Sequence, residues 1–449
     1  MKSALKSLLV IVLTGVLTLP SIADEIGANT ADDGKDQKDL KKVIETQSIN
    51  YVQTAQKGIT LSGYVDTSYT EQFSGRNTLT SPAVNSGSGP FGNGQANLRQ
   101  FDTNNDNFNI NAVKIALEKA LPDNNDWAAG FRIDTIYGQD AQVLNAADPS
   151  LGTHSGSSDF YLEQAMVKFR IPVGNGLDIC AGKFVTFLGY EVIESPANPN
   201  FSRGLLFTNA IPLTNTGVYA DYKFNEMVEA KFGVVDGWNT NVSPNNFTNG
   251  GGVPASDESF GGKAITGQVN VTAPGKNANL AFSFIYSPQS EIDIASPTNP
   301  FNPPFDNAPT TAGLYVLDLW GNWTPTFDKN GNTTFGFNLD YGSDTYSWWG
   351  AALYAQYRFN KVFSLASRGE YLHSDAGANK FGAGGYQVNS IVFTDSDQDD
   401  FSETLTASFA VWDNLLTRLE YRIDDLSKGT TGTVSELQNE VSAEAVYSF

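Results

Sequence analysis

Beyond Gly58 the chain carries sixteen runs in which apolar and polar side chains alternate with a period of two, joined by connections that are alternately long and short. A period of two places successive side chains on opposite faces of a strand, so each run has one greasy and one wet face. The runs cover 59–70, 108–119, 126–137, 160–171, 176–186, 216–224, 227–237, 262–273, 277–287, 311–325, 332–342, 346–359, 361–373, 401–412, 415–425 and 438–449. The long gaps between them hold 37, 22, 29, 24, 23, 3, 27 and 12 residues, whereas the intervening ones hold one to six, as at Pro122-Asp123-Asn124-Asn125, Pro274-Gly275-Lys276 and Asp413-Asn414. Short turns at one end and long loops at the other are the rhythm of an up-and-down transmembrane barrel that starts and ends in the periplasm. The expected fold is therefore all-β: an antiparallel barrel of about sixteen strands, with long extracellular loops and short periplasmic turns.

Face assignments agree with that reading. In 126–137, Trp127, Ala129, Phe131, Ile133, Thr135 and Tyr137 oppose Gly130, Arg132 and Asp134. In 415–425, Leu415, Thr417, Leu419, Tyr421 and Ile423 oppose Arg418, Glu420, Arg422 and Asp424, and in 349–359 Trp349, Ala351, Leu353, Ala355, Tyr357 and Phe359 oppose Gln356 and Arg358. Ten residues from Trp127 to Tyr137, at ~3.3 Å per residue and a tilt of ~40°, span about 25 Å along the axis, the height of an apolar band between aromatic girdles.

The N-terminus reads as an export signal over 1–23, with Lys2 and Lys6 ahead of an apolar run from Leu8 to Leu19 and small residues around a cut after Ala23. That run is too short to span a bilayer, which takes ~20 residues. Residues 24–57 are polar and read as a periplasmic segment, partly disordered or a short helix from Lys38 to Glu45 with Leu40, Val43 and Ile44 on one face. The barrel is expected over 58–449. Without Lys2 and Lys6 the mature chain has 49 acidic against 26 basic residues, a net charge of −23, which argues against nucleic acid as a partner.

Enzymatic chemistry finds little footing. The two histidines, His154 and His373, lie outside any G-x-S-x-G elbow, so no catalytic residue is expected. Cys180 alone builds neither a disulfide nor a thiolate metal site within one chain and reads as a small strand residue. The stretch Asp395-Ser396-Asp397-Gln398-Asp399-Asp400 begins like a calcium loop but lacks the glycine at position six and the distant glutamate, so a solvated acidic loop is the default. Neither a cofactor nor a metal is expected.

The segment Gly182-Lys183-Phe184-Val185-Thr186-Phe187-Leu188-Gly189-Tyr190-Glu191, continuing through Pro196-Ala197-Asn198-Pro199-Asn200-Phe201-Ser202-Arg203 to Ala210-Ile211-Pro212-Leu213-Thr214-Asn215-Thr216-Gly217-Val218, resembles the OmpL-like beta-barrel porin family. The opening Ile59-Thr60-Leu61-Ser62-Gly63-Tyr64-Val65-Asp66 is similar to that family's first strand. The resemblance covers 58–449 and implies an outer-membrane pore of a Gram-negative-type bacterium. The final run, with Tyr447 and terminal Phe449 on its apolar face, resembles the signal read by the barrel-assembly machinery, which becomes an expected partner along with outer-membrane lipid and lipopolysaccharide. A homotrimer is compatible with a barrel of this size.

The polar faces define the expected pore lining. Lys114, Arg132, Lys168, Arg170, Lys231, Arg358, Arg368, Arg418 and Arg422 fall there with Asp66, Glu118, Asp134, Glu229, Asp318, Asp340, Glu370, Glu420, Asp424 and Glu444, nine bases against ten acids. Pairing across neighbouring strands would fix register, and the same charges would set selectivity wherever they reach a constriction. The 187–215 connection follows the fifth strand and combines Pro196, Pro199 and Pro212 with the apolar patch Leu205 to Phe207 and with Glu191, Glu194 and Arg203. It is the expected constriction loop, set against the alternative of an outward loop packed on the rim. The expected function is passive diffusion of small hydrophilic solutes and ions with weak cation preference. The rival is a structural or adhesive surface barrel with a loop-plugged lumen; a soluble β-sandwich is the fallback. A plugged transporter needs ~22 strands and more chain ahead of the barrel than 34 residues.

Overall fold

The computed structural model describes residues 58–74, 101–102, 106–147, 158–237, 263–287, 313–343, 347–375, 398–425 and 437–449. The export signal, the 24–57 segment, His154 and Asp395 to Asp397 lie outside the described residues. Sixteen strands close into one antiparallel ring. They are β1 (Ile59–Ser74), β2 (Asn107–Lys119), β3 (Ala128–Tyr137), β4 (Phe160–Ile171), β5 (Leu177–Val185), β6 (Thr214–Lys223), β7 (Val228–Val235), β8 (Ala264–Thr272), β9 (Ala278–Ser287), β10 (Leu314–Trp323), β11 (Thr333–Ser343), β12 (Ser347–Arg358), β13 (Phe363–Ser374), β14 (Gln398–Trp412), β15 (Leu415–Asp425) and β16 (Leu437–Ser448). Two α-helices lie in connections, α1 (Gln139–Ala147) and α2 (Leu205–Asn209). Every strand pairs with its neighbours in sequence, and β1 pairs with β16 to close the ring, so the described wall has no free edge.

Each strand lies within a few residues of its alternating run. The largest differences are at loop-facing ends: β1 continues to Ser74, and β14 starts at Gln398, which takes Asp399 and Asp400 out of the expected acidic loop and into the ladder opposite His373 and Leu372. Hydrogen-bond pairing extends past the point where hydrophobic alternation fades, because beyond the apolar band both faces meet polar surroundings.

Exposure separates the two faces. Trp127 is 74% exposed and Arg132 only 3%. In water that would be inverted; in a barrel the outer face meets lipid and the inner face meets polar contents. Four irregularities break the alternation, two of them inside the wall. Between Asp66 and Thr67 the register skips Asn111, and between Asp134 and Thr135 it skips Glu163. Each extra residue is buried on the lumen side.

The seam is tied at its periplasmic end by the last residue. Phe449 donates its backbone N–H to Gly63 O and accepts from Gly63 N, both at 2.9 Å. A Cβ at Gly63 would lie 2.8 Å from the Phe449 ring, so the glycine makes room for that side chain. Deleting Phe449 removes both bonds and the ring from the closing strand, and is expected to lower the yield of heat-modifiable barrel in a strain sensitised for assembly; an unchanged yield would deny the residue that role.

Candidate functional site

Residues 186–213, which join β5 to β6, run inside the barrel. Phe187 O accepts from Gln268 Nε2 on β8 at 2.6 Å and from Ser283 Oγ on β9 at 2.9 Å. Tyr190 N donates to Asn338 Oδ1 on β11 at 2.6 Å. The loop then crosses to the seam side, where Ser195 Oγ donates to Glu444 Oε1 on β16 at 2.7 Å and Asn200 Nδ2 to Thr406 Oγ1 on β14 at 2.6 Å. Arg418 Nη1 on β15 donates to Asn198 O and Asn200 O, each at 3.0 Å, and Glu420 accepts from Phe201 N and Ser202 N at 2.6 and 3.0 Å. On the return, α2 lies against β12 and β13, and Trp348 Nε1 donates to Ala210 O at 3.2 Å.

These contacts follow from composition. Pro196 lies in a 3-10 turn over Ser195–Ala197, and beyond it the backbone carbonyls of Asn198, Asn200 and Ser202 have no ladder partner and are satisfied by arginines from the wall. Leu205, Leu206 and Phe207 give the short α2 an apolar surface buried inside the barrel. Gly204 allows a close approach: its N–H donates to Glu191 Oε2 at 2.5 Å, and a Cβ there would stand 2.2 Å from Glu370 Oε1.

The three charged loop residues are each buried in an ion pair. Glu191 meets Arg368 Nη1 at 2.7 Å, and Arg368 also holds Glu370 Oε2 at 2.9 Å and donates to Ser202 O. Glu194 pairs with Lys114, whose ammonium also lies 2.6 Å from Glu163 and 3.2 Å from Asp134. The oxygens of Asp134, Glu163 and Glu194 gather closely enough to suggest a metal cage, but Lys114 already stands among them as their counter-ion. Arg203 pairs with Asp140 of α1 at 2.7 Å, donates to Ile193 O and covers the Phe101 ring at 4.7 Å. Thus α1 and the end of the β1–β2 connection also reach inward, the latter through Asp102, which pairs with Arg422.

Of the wall residues expected to line the lumen, all face inward. Arg132 and Lys168 share Glu118 at 3.3 and 2.7 Å, Arg170 meets Asp178 at 2.6 Å, Lys231 meets Glu229 at 3.1 Å, Arg418 meets Glu444, and Arg422 meets Asp424 and Glu440 at 2.9 and 3.1 Å. Asp66 accepts from Asn111 at 2.9 Å, and Asn338 Nδ2 bridges Asp318 and Asp340 at 3.1 and 2.8 Å. Sequence reasoning passed over Asp102, Asp140, Glu163, Asp178, Asp221 and Glu440. Simple period-two counting from the adjacent strand finds Asp178, Asp221 and Glu440; Glu163 is hidden by its bulge, and Asp102 and Asp140 by lying in connections. His373 sits at the loop-side rim with its Nδ1 2.8 Å from Asp399 Oδ1 and its ring tilted against Trp349, and has no nucleophile among its described partners. Cys180 is buried on the lumen side of β5.

Burial pushes the Asp140 carboxyl up to about 6 against the pull of Arg203. A carboxyl raised in the folded state contributes stability that is full below the unfolded value and is lost as pH rises through about 6. Asp140→Asn keeps an acceptor for Arg203 without the charge, so the thermal transition of the variant should change less between pH 5 and 7 than the parent's; an equal dependence would assign the effect elsewhere.

A closed sixteen-strand wall with the β5–β6 connection folded across its lumen is the geometry of a porin, and the family model described as "Putative beta-barrel porin-2, OmpL-like" matches residues 58–449. The chain belongs to this porin family. Family members are outer-membrane channels, not enzymes. No curated protein matches the sequence. Among solved structures, it resembles Salmonella typhi OmpF in complex with daunomycin (12% identity, 87% of this chain and 97% of that one, TM-score 0.53). It also resembles the outer membrane channel DcaP of Acinetobacter baumannii (11%, 87% and 97%, 0.52) and the anion-selective porin from Comamonas acidovorans (12%, 87% and 99%, 0.52). At these identities the likeness speaks for the porin's fold alone.

Proposed function

We propose that this porin is a passive diffusion channel for small hydrophilic solutes and ions whose aperture is set by residues 186–213. The observation that carries the reading is the loop's course: hydrogen bonds tie it to inward side chains from β8 round to β16, so any solute crossing the barrel passes beside it. A ring of sixteen strands encloses more space than a size-selective pore leaves open, and a braced loop narrows it. Glu191, Glu194 and Arg203 act in this reading by holding the loop in place. The depth of burial of the lumen charges favours a second reading, a surface barrel plugged by its own loops. Single-channel recording in a planar bilayer separates them: steady ohmic steps are expected, and a folded but silent barrel would support the plug.

Weak cation preference is expected. The nine bases and ten acids of the lining are joined inside the lumen by Glu163, Asp178, Asp221, Asp400 and Glu440, by Asp102, Asp140, Glu191 and Glu194 from the connections, and on the basic side by Lys183 and Arg203, which tips the balance further toward acid. Pairing mutes most of this field, and mobile ions screen the rest beyond ~10 Å at 0.1 M salt. A reversal potential of the anion-selective sign in a KCl gradient would refute it. Export by a signal ending at Ala23, insertion through the barrel-assembly machinery with Tyr447 and Phe449 as the recognised end, contact with lipopolysaccharide and assembly as a homotrimer complete the proposal; cross-linking in intact outer membranes tests the last.

A further inference from the structure

Two adjoining arcs of the lumen wall differ in chemistry. On β2 to β7 the periplasmic part is ionic and self-neutralised through the pairs around Glu118, Asp178 and Glu229. On β8 to β12, below the layer of Asp318 and Asp340, the inward positions carry amides and hydroxyls, and Arg358 at the rim is the sole charge among the described residues. Within this neutral arc two donors have no acceptor among the described residues, Trp320 Nε1 and Asn279 Nδ2. Trp320 is 5% exposed and Asn279 4%. They are neighbours: in the β9–β10 ladder Trp320 stands opposite Ala281 and Asn322 opposite Asn279, so the indole and the amide are one inward step apart. Rings adjoin them, with Tyr190 of the loop 6.1 Å from Trp320 and 4.3 Å from Tyr354, centroid to centroid.

A buried N–H is normally satisfied, and an unsatisfied pair side by side on the lumen face leaves a place for an acceptor that the protein itself does not supply, water or a solute oxygen. The surroundings narrow that acceptor's chemistry. An anion would find no cation on this wall short of Arg358 and would face the Asp318 carboxyl one inward step from Trp320, whereas a cation drawn to that carboxyl would leave the N–H pair unsatisfied. A hydroxyl accepts from indole and amide N–H groups and can donate onward to the side-chain oxygen of Asn322, which stands opposite Asn279 on the same inward face, while a ring face of C–H groups packs on the tyrosines. We propose that the Trp320–Asn279 patch is a subsite for an uncharged, hydroxyl-rich solute such as a sugar or polyol. The inference rests on the porin reading and names a solute class for it. Because Tyr190 leans on Trp320, a solute held there also touches the loop.

The test is ion current through the full chain in planar bilayers, titrated with sucrose and, at matched viscosity, with glycine. Sucrose is expected to reduce the KCl current saturably and beyond its viscosity effect. Trp320→Phe, which keeps the ring and removes the donor, and Asn279→Leu should each raise the half-blocking concentration about fivefold, the loss of one net hydrogen bond, with the sugar-free current unchanged. Heat-modifiable mobility verifies folding, and if one variant fails to fold the other carries the comparison. A current that sucrose lowers no further than glycine, or a block unaltered in the folded variants, overturns the subsite while leaving the porin reading intact. A folded barrel passing no current overturns both.

Discussion

Excising residues 196–210 should at least roughly double single-channel conductance and admit larger sugars, because it removes the tip and α2 from a lumen that sixteen strands alone would leave wide. The barrel is expected to survive. Its strand ladders are independent of the loop, and each wall cation that loses a loop partner keeps an acid: Arg368 gives up Ser202 but retains Glu191 and Glu370, and Arg418 gives up Asn198 O and Asn200 O but retains Glu444. Water entering the opened lumen also rehydrates these groups, so the desolvation cost of an unpaired buried charge does not arise in full. Heat-modifiable mobility confirms the fold, and the conductance histogram is the readout. Unchanged conductance in a folded barrel would place the constriction outside this loop.

Arg368→Ala is expected to have the largest effect of any single substitution. The guanidinium is fully buried and stands between Glu191 of the loop and Glu370 of its own strand, with Ser202 O and Thr404 Oγ1 as further acceptors. Removing it leaves two carboxylates facing one another without a cation, a change that costs about 3–5 kcal/mol where water stays out. The loop should loosen first, since only its side of the pair is free to move, and current noise should rise together with a lower thermal transition. Burial already raises the Glu191 carboxyl above its ordinary range, and the Arg368 charge is the main influence opposing that rise. A raised carboxyl favours the folded state at low pH and loses that contribution as pH rises, so the deficit should be largest above neutrality and should shrink on acidification. Arg368→Ala combined with Glu191→Gln should recover part of the loss. A variant as stable as the parent at pH 8 would show that the pair does not brace the loop.

How much of this was legible in the chain depends on how local the signal is. Sixteen strands, their faces and the alternation of turns and loops are written residue by residue, because a strand's side chains must alternate and a lipid-facing wall must be apolar wherever it occurs. So Arg132, Arg368, Arg418 and Arg422 could be placed inside without coordinates. The length, the three prolines and the apolar patch of residues 187–215 likewise marked a loop with something to pack against. What it packs against was decided only by the closed ring, since Arg368, Arg418 and Glu420 lie more than 160 positions away in sequence from the loop groups they bind. The bulges at Asn111 and Glu163 are tertiary in the same sense: an extra residue in one strand is defined only against the register of its neighbour. Lys114 could then collect three carboxylates that no spacing links, and Asp102 and Asp140 could join a lumen that their own segments do not announce. Period-two patterning sets which face a side chain takes, whereas barrel closure sets which charges meet there, because only closure brings distant strands around one space.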